Sequence, residues 1–210
     1  MGAALAEAFP EARTTFEEAD AAFAASVHQS VAGADLQVRP LSTPCFEGPE
    51  DQLTLTEHTQ PAILTVSVAA ARVLASHGIE PAFVAGHSLG EYSAHVVAGT
   101  FDFGDAVRIV RRRGRYMQEA VPVGEGAMAA VLGLDPASVR RACDEAAQGD
   151  VVSLANINGP DQVVIAGSSA AVQRAGERAR ALGAKRVVAL PVSAPFHCAL
   201  MKPAEERLAP

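Results

Sequence analysis

Long uncharged apolar runs are absent from this sequence. None reaches the roughly 18 residues that a membrane-spanning helix needs, and Met1–Pro10 has neither the basic start nor the apolar run of a signal peptide. With 49% hydrophobic residues among 210, the chain still has enough apolar material for a buried core. We therefore expect a globular protein in the cytoplasm that has no membrane partner.

Cysteine is also scarce. Cys45, Cys143 and Cys198 are odd in number and irregular in spacing, which favours free thiols over a disulfide framework or a zinc site. We expect no disulfide and no metal.

Positive charge is in deficit as well, with 17 Lys and Arg against 24 Asp and Glu and a net charge of −7. This balance argues against a nucleic-acid partner. One local basic cluster needs a separate explanation, and it comprises Arg111, Arg112, Arg113 and Arg115. The sequence shows no internal repeat and no low-complexity tract.

The first 124 residues have the pattern of an α/β layer. Acidic and apolar residues at helical spacing predict a helix over Glu11–Ala25, and three prolines make Leu36–Glu57 irregular. Gln60–His77 reads as a helix buried on most sides, with Pro61 in its first turn and Gly78 at its end.

A strand, a sharp turn and a helix are predicted next. The apolar run Ala82–Ala85 is too short for a helix, and a helical pattern begins at Leu89. Asp102 can cap a further helix that ends near Val121.

After Gly126 the pattern changes to a βαββαβ order, which predicts a ferredoxin-like subdomain. Residues 158–161, Asn-Gly-Pro-Asp, suit a hairpin between the two middle strands. The predicted elements are strand Met128–Leu132, helix Pro136–Ala147, strands Val151–Ile157 and Val163–Ala166, helix Ala170–Leu182 and strand Arg186–Pro191.

The strongest chemical signal is Gly86-His87-Ser88-Leu89-Gly90, a G-x-S-x-G motif placed where a strand turns into a helix. The glycines leave room for a strained turn that exposes the Ser88 hydroxyl. The helix N-terminus and the N–H of Leu89 would face a developing oxyanion. This context favours a nucleophilic serine over an ordinary turn.

A serine nucleophile needs a base, and the sequence alone does not choose among the histidines at positions 28, 58, 77, 87, 95 and 197. His87 adjoins Ser88, but neighbours on a tight turn point apart, so a structural role suits it better. His197 follows the last predicted strand, where the chain returns to the main layer. Loops at such returns commonly have functional roles.

Arg113 lies on the apolar stripe of the helix that follows Asp102, whereas the other arginines of the cluster lie to its sides. An inward arginine needs an anionic partner. That partner is either an internal carboxylate or the carboxylate of a substrate, which the guanidinium would bind through two parallel hydrogen bonds.

Taken together, these features resemble the malonyl-CoA:acyl carrier protein transacylases and the acyltransferase domains of polyketide synthases. The resemblance covers nearly the whole chain. The matching blocks are Cys45–Pro49, Leu55–Glu57, Thr59–Ala62, Gly86–Ala94, Arg113–Gly114, Met117–Ala120, Gln162–Gly167 and His197–Met201.

The resemblance implies an α/β-hydrolase-like core, incomplete at both ends, with an inserted ferredoxin-like subdomain. On this basis residues 1–124 are the first part of the large subdomain, 125–192 the small subdomain, and 193–210 the return to the large one. The family pattern also includes a Gly-Gln-Gly-Ser-Gln type loop that donates to the oxyanion hole and strands beyond the histidine motif. This chain starts after that loop and stops before those strands, so we expect it to be much less active than a longer parent.

The resemblance also implies the reaction and its residues. Ser88 would be acylated, His197 would be the general base and acid, and Arg113 would bind the malonyl carboxylate. Malonyl would pass from malonyl-CoA to the phosphopantetheine thiol of an acyl carrier protein by a ping-pong mechanism, without a cofactor. The other substrate-binding residues implied are Leu89, Met117, Phe196, Gln60 and His87.

Alternatives remain at this point. A lipase-like or thioesterase hydrolase shares G-x-S-x-G but transfers the acyl group to water, and Arg113 and the inserted subdomain argue against it. An inactive fragment or a remnant that binds a carrier protein is the second alternative. The chain could be a monomer or a module of a larger synthase, in fatty acid or polyketide synthesis.

Overall fold

The computed structural model describes residues 1–30 and 38–209. The chain consists of two compact units, which are Met1–Gly114 and Arg115–Pro210. The boundary between them falls within one helix. The side chain of His28 and the first two residues of the segment predicted as irregular, 36 and 37, lie outside the described residues. The subdomain boundaries after residues 124 and 192 stay predictions.

Helices form the described part of the first unit. They are α1 (Ala3–Ala8), α2 (Pro10–Ser30), α3 (Ser42–Phe46), α4 (Glu50–Thr54), α5 (Thr56–Ser76), α6 (Leu89–Val97) and the start of α7 (Phe103–Ala120). Helices α6 and α7 begin where the sequence predicted. The side chain of Asp102 accepts a hydrogen bond from the N–H of Asp105 at 3.1 Å, as expected for a helix cap.

The prediction of an irregular segment up to Glu57 was wrong in part, because α3, α4 and the start of α5 lie in it. Pro44 is in the first turn of α3 and Pro49 immediately precedes α4. A proline is tolerated at such positions because the first N–H groups of a helix have no intrahelical acceptor.

Helix α5 differs from its prediction at one end and agrees at the other. It begins at Thr56 rather than Gln60, so Pro61 lies inside the helix and not in its first turn. At the other end, Gly78 has φ +73° and the N–H of Ile79 donates to the carbonyl of Leu74 at 3.0 Å. This is the glycine-terminated helix end that the sequence predicted.

The expectation that α5 is buried on most sides is confirmed as far as Val73, whereas its last turn is exposed. Ile63 is 41% exposed and Leu74 48% exposed, whereas Leu64 and Val68 are buried. The buried side of α5 packs against α2, α6 and α7. The main core of the unit includes Phe16, Phe23, Leu41, Leu64, Val68, Val107 and Val110.

The strand predicted over Ala82–Ala85 does not form. These residues are exposed, and Phe83 is 94% exposed. A strand needs a neighbour with which to exchange backbone hydrogen bonds, and the described residues of the first unit contain no strand.

The second unit contains the predicted βαββαβ order. Its elements are β1 (Gly126–Leu132), α8 (Pro136–Ala147), β2 (Val152–Gly159), β3 (Gln162–Ser168), α9 (Ser169–Ala181) and β4 (Arg186–Ala189), followed by a 3₁₀ turn (Ala199–Met201) and α10 (Lys202–Leu208). The strands form an antiparallel sheet in the order β2-β3-β1-β4. Gly159 pairs with Gln162 across the predicted hairpin.

Alternation along β1 divides the core of the second unit between the two faces of the sheet. Ala129 and Val131 pack in the cluster that includes helices α8 and α9. Met128 and Ala130 belong to a different cluster, which Phe196 and Cys198 join. The segment after β4 therefore packs on the sheet face opposite the helices.

No helix within residues 1–30 and 38–209 is both long and apolar enough to cross a bilayer.

Candidate active site

Ser88 occupies a strained backbone position at the start of α6. Its φ of 53° and ψ of −105° lie outside the regions that non-glycine residues normally adopt. A Cβ added at Gly86 would lie 1.9 Å from the carbonyl carbon of Gly90, so only glycine fits at position 86. At Gly90 an added Cβ would meet no described atom within 4 Å. The turn thus depends on the first glycine of the motif for space and not on the second.

The neighbours of Ser88, His87 and Leu89, also have the conformation of a sharp turn that leads into a helix. Leu89 is the first residue of α6, so its N–H is among those that lack an intrahelical acceptor. His87 is exposed, and its carbonyl accepts a hydrogen bond from the N–H of Gly90 at 2.8 Å, which closes the turn.

Arg113 contacts the Ser88 side chain directly. Its Nη2 donates to Ser88 Oγ at 3.0 Å, and its Nη1 donates to Gln60 Oε1 at 2.6 Å. The guanidinium carbon also lies 5.8 Å from the centre of the Tyr92 ring. The structure therefore groups Ser88, Arg113 and Gln60, three of the predicted site residues.

The electrostatic setting of Arg113 favours an added anion. Burial lowers the pKa of the Arg113 guanidinium, and the nearby Tyr92 and Glu91 partly oppose that effect. Among the described residues, no carboxylate forms an ion pair with Arg113; its hydrogen-bond acceptors are an amide and a hydroxyl. A half-buried guanidinium held by neutral groups can still bind a carboxylate.

The sequence placed Arg113 on the apolar stripe of α7 and the other arginines to its sides, and the structure differs from this prediction at Arg111. Arg111 is the buried member, at 8% exposure, whereas Arg113 is half-buried. The buried face of α7 follows Phe103, Val107, Val110 and Gly114, and Arg111 lies next to this line. Arg111 also has the internal carboxylate partner that was considered for Arg113, since its Nη2 lies 3.6 Å from Glu57 Oε2.

Two further residues of this site escaped the sequence analysis as individual candidates. Thr56 accepts a hydrogen bond from Gln60 Nε2 at 2.9 Å, and Tyr92 places its ring near Arg113. Helical spacing could have indicated both, because Thr56 lies four residues before Gln60 on α5 and Tyr92 four residues after Ser88.

His197 lies in the second unit, in a loop that we define as residues 193–201. It is exposed and has φ +60°, a left-handed conformation that is uncommon outside glycine. Contacts within the loop fix this turn: the thiol of Cys198 donates to the carbonyl of Pro195 at 3.1 Å, and the N–H of Phe196 donates to Ala194 at 3.1 Å.

Helix α7 anchors the same loop through its C-terminal part. Gln118 Nε2 donates to the carbonyl of Ser193 at 3.0 Å. Met117 is buried in a cluster with Ala194 and Met201, and Phe196 packs against that cluster. The predicted residues Met117, Phe196 and His197 therefore belong to one local structure.

His58, His77 and His95 have local contacts of a structural kind. His58 Nδ1 lies 2.9 Å from the carbonyl oxygen of Gln52, His77 is edge-on to Phe9, and His95 lies 4.8 Å from the Phe101 ring. The pairing of Ser88 with His197 stays a prediction.

The described residues contain no group of three or more His, Cys, Asp or Glu side chains arranged to hold a metal ion. All three cysteines lie in the described ranges and are free thiols, as predicted.

Comparison with known proteins adds independent information. The chain is 54% identical over 210 residues to the malonyl CoA-acyl carrier protein transacylase of Escherichia coli (strain K12), and 48% identical over 209 residues to that of Bacillus subtilis (strain 168). These alignments cover 100% and 99% of this chain, but 63% and 62% of the relatives. The chain thus spans less than two thirds of the length of these relatives.

Solved structures agree in fold. A malonyl-transacylase in complex with its type II PKS acyl-carrier protein, PlMCAT:AntF, is 50% identical with a TM-score of 0.90, over 100% of this chain and 63% of that one. The malonyl CoA-acyl carrier protein transacylase of Coxiella burnetii is 46% identical, also with a TM-score of 0.90, over 100% and 62%. An α/β fold common to these transacylases is therefore shown.

The sequence pattern that defines the acyl transferase domain matches residues 1–210, which is the whole chain. The relatives named above are about half identical to the chain over the same length. This chain belongs to the acyl transferase domain family.

Proposed function

We propose that this chain transfers a malonyl group from malonyl-CoA to the phosphopantetheine thiol of an acyl carrier protein, through an ester on Ser88. The observation that best supports this proposal is the contact of Arg113 Nη2 with Ser88 Oγ at 3.0 Å. A malonyl ester on Ser88 would have its free carboxylate two carbons from the ester carbonyl carbon. A guanidinium beside Oγ is within reach of that carboxylate.

The chemistry runs in two half-reactions. Ser88 gives its proton to His197 and attacks the thioester carbonyl, the C–S bond breaks, and the coenzyme A thiolate takes the proton from His197. The thiol of the carrier protein then loses its proton to His197 and attacks the ester. Ser88 recovers a proton as the C–O bond breaks, and no cofactor is consumed.

Substrate binding is assigned in the same proposal. Arg113 would bind the malonyl carboxylate, with Gln60 as its support, and the N–H of Leu89 would donate to the oxyanion. Met117, Phe196 and His87 are proposed to line the acyl and pantetheine path. The names of the relatives support this acceptor, since they are called acyl carrier protein transacylases.

The finer description of the fold is part of this proposal. We infer that Met1–Gly114 contributes to an α/β-hydrolase-like core and that the βαββαβ sheet is a ferredoxin-like subdomain inserted into it. The β2-β3-β1-β4 strand order supports the second half of this inference. A cytoplasmic location and a fatty acid or polyketide pathway also stay predictions.

A product assay separates this function from the alternatives. The purified protein is incubated with malonyl-CoA, with and without a phosphopantetheinylated carrier protein. Transfer predicts malonyl-carrier protein and an equal amount of free coenzyme A, both lost in Ser88→Ala. Free malonate formed equally without the carrier protein would indicate a hydrolase, and carrier-protein binding without any product would indicate a binding remnant.

A further inference from the structure

Thr56 is the first residue of α5 and has no part in the reaction proposed above. We propose that Thr56 is a positioning residue whose hydroxyl orients the Gln60 amide, so that Arg113 is held in the orientation that selects a carboxylate-bearing acyl group. The inference rests on the proposed function and extends it to the origin of acyl selectivity. It is based on a chain of contacts from Thr56 through Gln60 and Arg113 to Ser88.

The orientation of the Gln60 amide follows from chemistry. A guanidinium has only N–H donors, so the Gln60 atom 2.6 Å from Arg113 Nη1 must be the carbonyl oxygen. The amide NH₂ is then directed to Thr56 Oγ1, 2.9 Å away, and a hydroxyl oxygen can accept that bond. A rotated amide would set donor against donor at Arg113.

The orientation of the Gln60 amide is important because both Thr56 and Gln60 are buried. Thr56 is 4% exposed and Gln60 6% exposed, so water has little access to replace a lost partner. Removing the Thr56 hydroxyl would leave a buried N–H group without this acceptor, a loss that favours rotation or displacement of the amide. Arg113 would then lose its fixed support.

Backbone packing fixes the distance between the two helices at this point. A Cβ added at Gly114 would lie 2.4 Å from the carbonyl oxygen of Thr56 and 2.7 Å from Glu57 Cα. The first turn of α5 therefore contacts the backbone of α7 directly beside Arg113. Because the spacing is set by backbone atoms, the Thr56 hydroxyl determines the orientation of the amide and not the approach of the helices.

The test compares three variants with the wild-type protein in competition assays that use malonyl-CoA and acetyl-CoA. Thr56→Val keeps the side-chain shape and removes the acceptor. We expect it to lower the malonyl-to-acetyl ratio of kcat/KM about fivefold, the loss typical of one hydrogen bond. Thr56→Ser keeps the hydroxyl and should stay within about twofold of wild type.

The matched control is Thr65→Val on the same helix. Thr65 is fully buried, and its hydroxyl donates to the carbonyl of Pro61 at 2.8 Å rather than to a side chain of the site. Thr65→Val should change the melting temperature without changing the malonyl-to-acetyl ratio of kcat/KM. If the role of Thr56 were only structural, Thr56→Val would also change the melting temperature and leave this ratio unchanged. If Thr56→Val does not fold, Thr56→Ala takes its place.

The proposal is overturned if the malonyl-to-acetyl ratio of kcat/KM is unchanged in folded Thr56→Val, or in Thr56→Ala in its place. It is also overturned if this ratio falls equally in Thr65→Val. A wild-type protein that forms no malonyl ester would overturn the proposed function, and this inference with it. A fall in ratio with rescue by Thr56→Ser supports both.

Discussion

Two arginines, one in each unit, have different kinds of partner. In the first unit, Arg113 donates to an amide and a hydroxyl and lies near an aromatic ring. In the second unit, Arg174 donates to Asp150 and to the carbonyls of Ala146 and Ala147 at the end of α8. The charge of Arg174 is already compensated by a carboxylate, whereas the charge of Arg113, which is held by neutral groups, is available to an anionic ligand.

The same contrast appears within helix α7. Arg111, two residues before Arg113, is ion-paired with Glu57 and lies 5.0 Å from the Phe23 ring. Neighbouring arginines in a single cluster thus have separate expected roles, the first in stability and the second in substrate recognition. Variants at Arg113, Arg174 and Arg111 test whether this separation holds.

The largest effect is expected for Arg113→Ala. Removing the guanidinium leaves the malonyl carboxylate without its charge-assisted hydrogen bonds, while acetyl has no carboxylate to lose. The malonyl-to-acetyl ratio of kcat/KM should fall at least about tenfold, which corresponds to roughly 1.4 kcal/mol. Competition assays with paired coenzyme A thioesters measure the ratio.

Arg174→Ala is the control from the second unit. It removes a carboxylate-paired arginine, so it should reduce thermal stability and leave the acyl ratio within about twofold of wild type. An unchanged ratio in Arg113→Ala, or a shared fall in both variants, would remove the functional distinction between the two arginines.

Arg111→Ala should have a smaller effect, on stability. The ion pair is long, at 3.6 Å, and the Glu57 side chain is 27% exposed, which reduces the cost of breaking it. We expect the free energy of unfolding to fall by about 1–2 kcal/mol, with the acyl ratio unchanged. Denaturant unfolding gives the free energy. A large fall in the ratio without loss of stability would assign Arg111 to substrate recognition instead.

The smallest effect is expected for Phe196→Ser in the second unit. Phe196 packs against the clusters around Met117 and Met128, so its ring offers shape and not charge. It is one of the residues proposed to line the acyl path. Its removal should raise the methylmalonyl-to-malonyl ratio of kcat/KM about threefold or more, because the branched methyl gains space. Competition between the two thioesters tests this, and no gain would exclude crowding by Phe196.

Local patterns were sufficient where the hydrogen-bond partners lie within the element or in elements that are close in the sequence. The helices at Leu89 and Phe103 satisfy their own hydrogen bonds, and the four strands of the βαββαβ order pair with one another within residues 126–189. Ala82–Ala85 failed for the opposite reason. A strand depends on partners elsewhere in the chain, and the apolar run alone does not specify them.

In the candidate site, too, features encoded by a local pattern were predicted and features that depend on distant residues were not. The G-x-S-x-G motif predicted the strained turn at Ser88 because the steric need for Gly86 is local. The apolar stripe chosen from the sequence pointed to Arg113, whereas Arg111 is buried by its contacts with Glu57 and Phe23, residues of other helices that the spacing within α7 does not specify. The role of Thr56 depends on the packing of α5 against α7 at Gly114. Gly114 follows Thr56 by 58 residues, so no local pattern connects the two.

Formation of the acyl ester tests the central claim most directly. The protein is incubated with malonyl-CoA, quenched in acid and examined by intact-protein mass spectrometry, and the modified residue is then located in peptides. We predict one malonyl group on Ser88 in the wild-type protein and none in Ser88→Ala. A malonyl adduct that persists in Ser88→Ala, or that maps to another residue of the wild-type protein, would contradict the account.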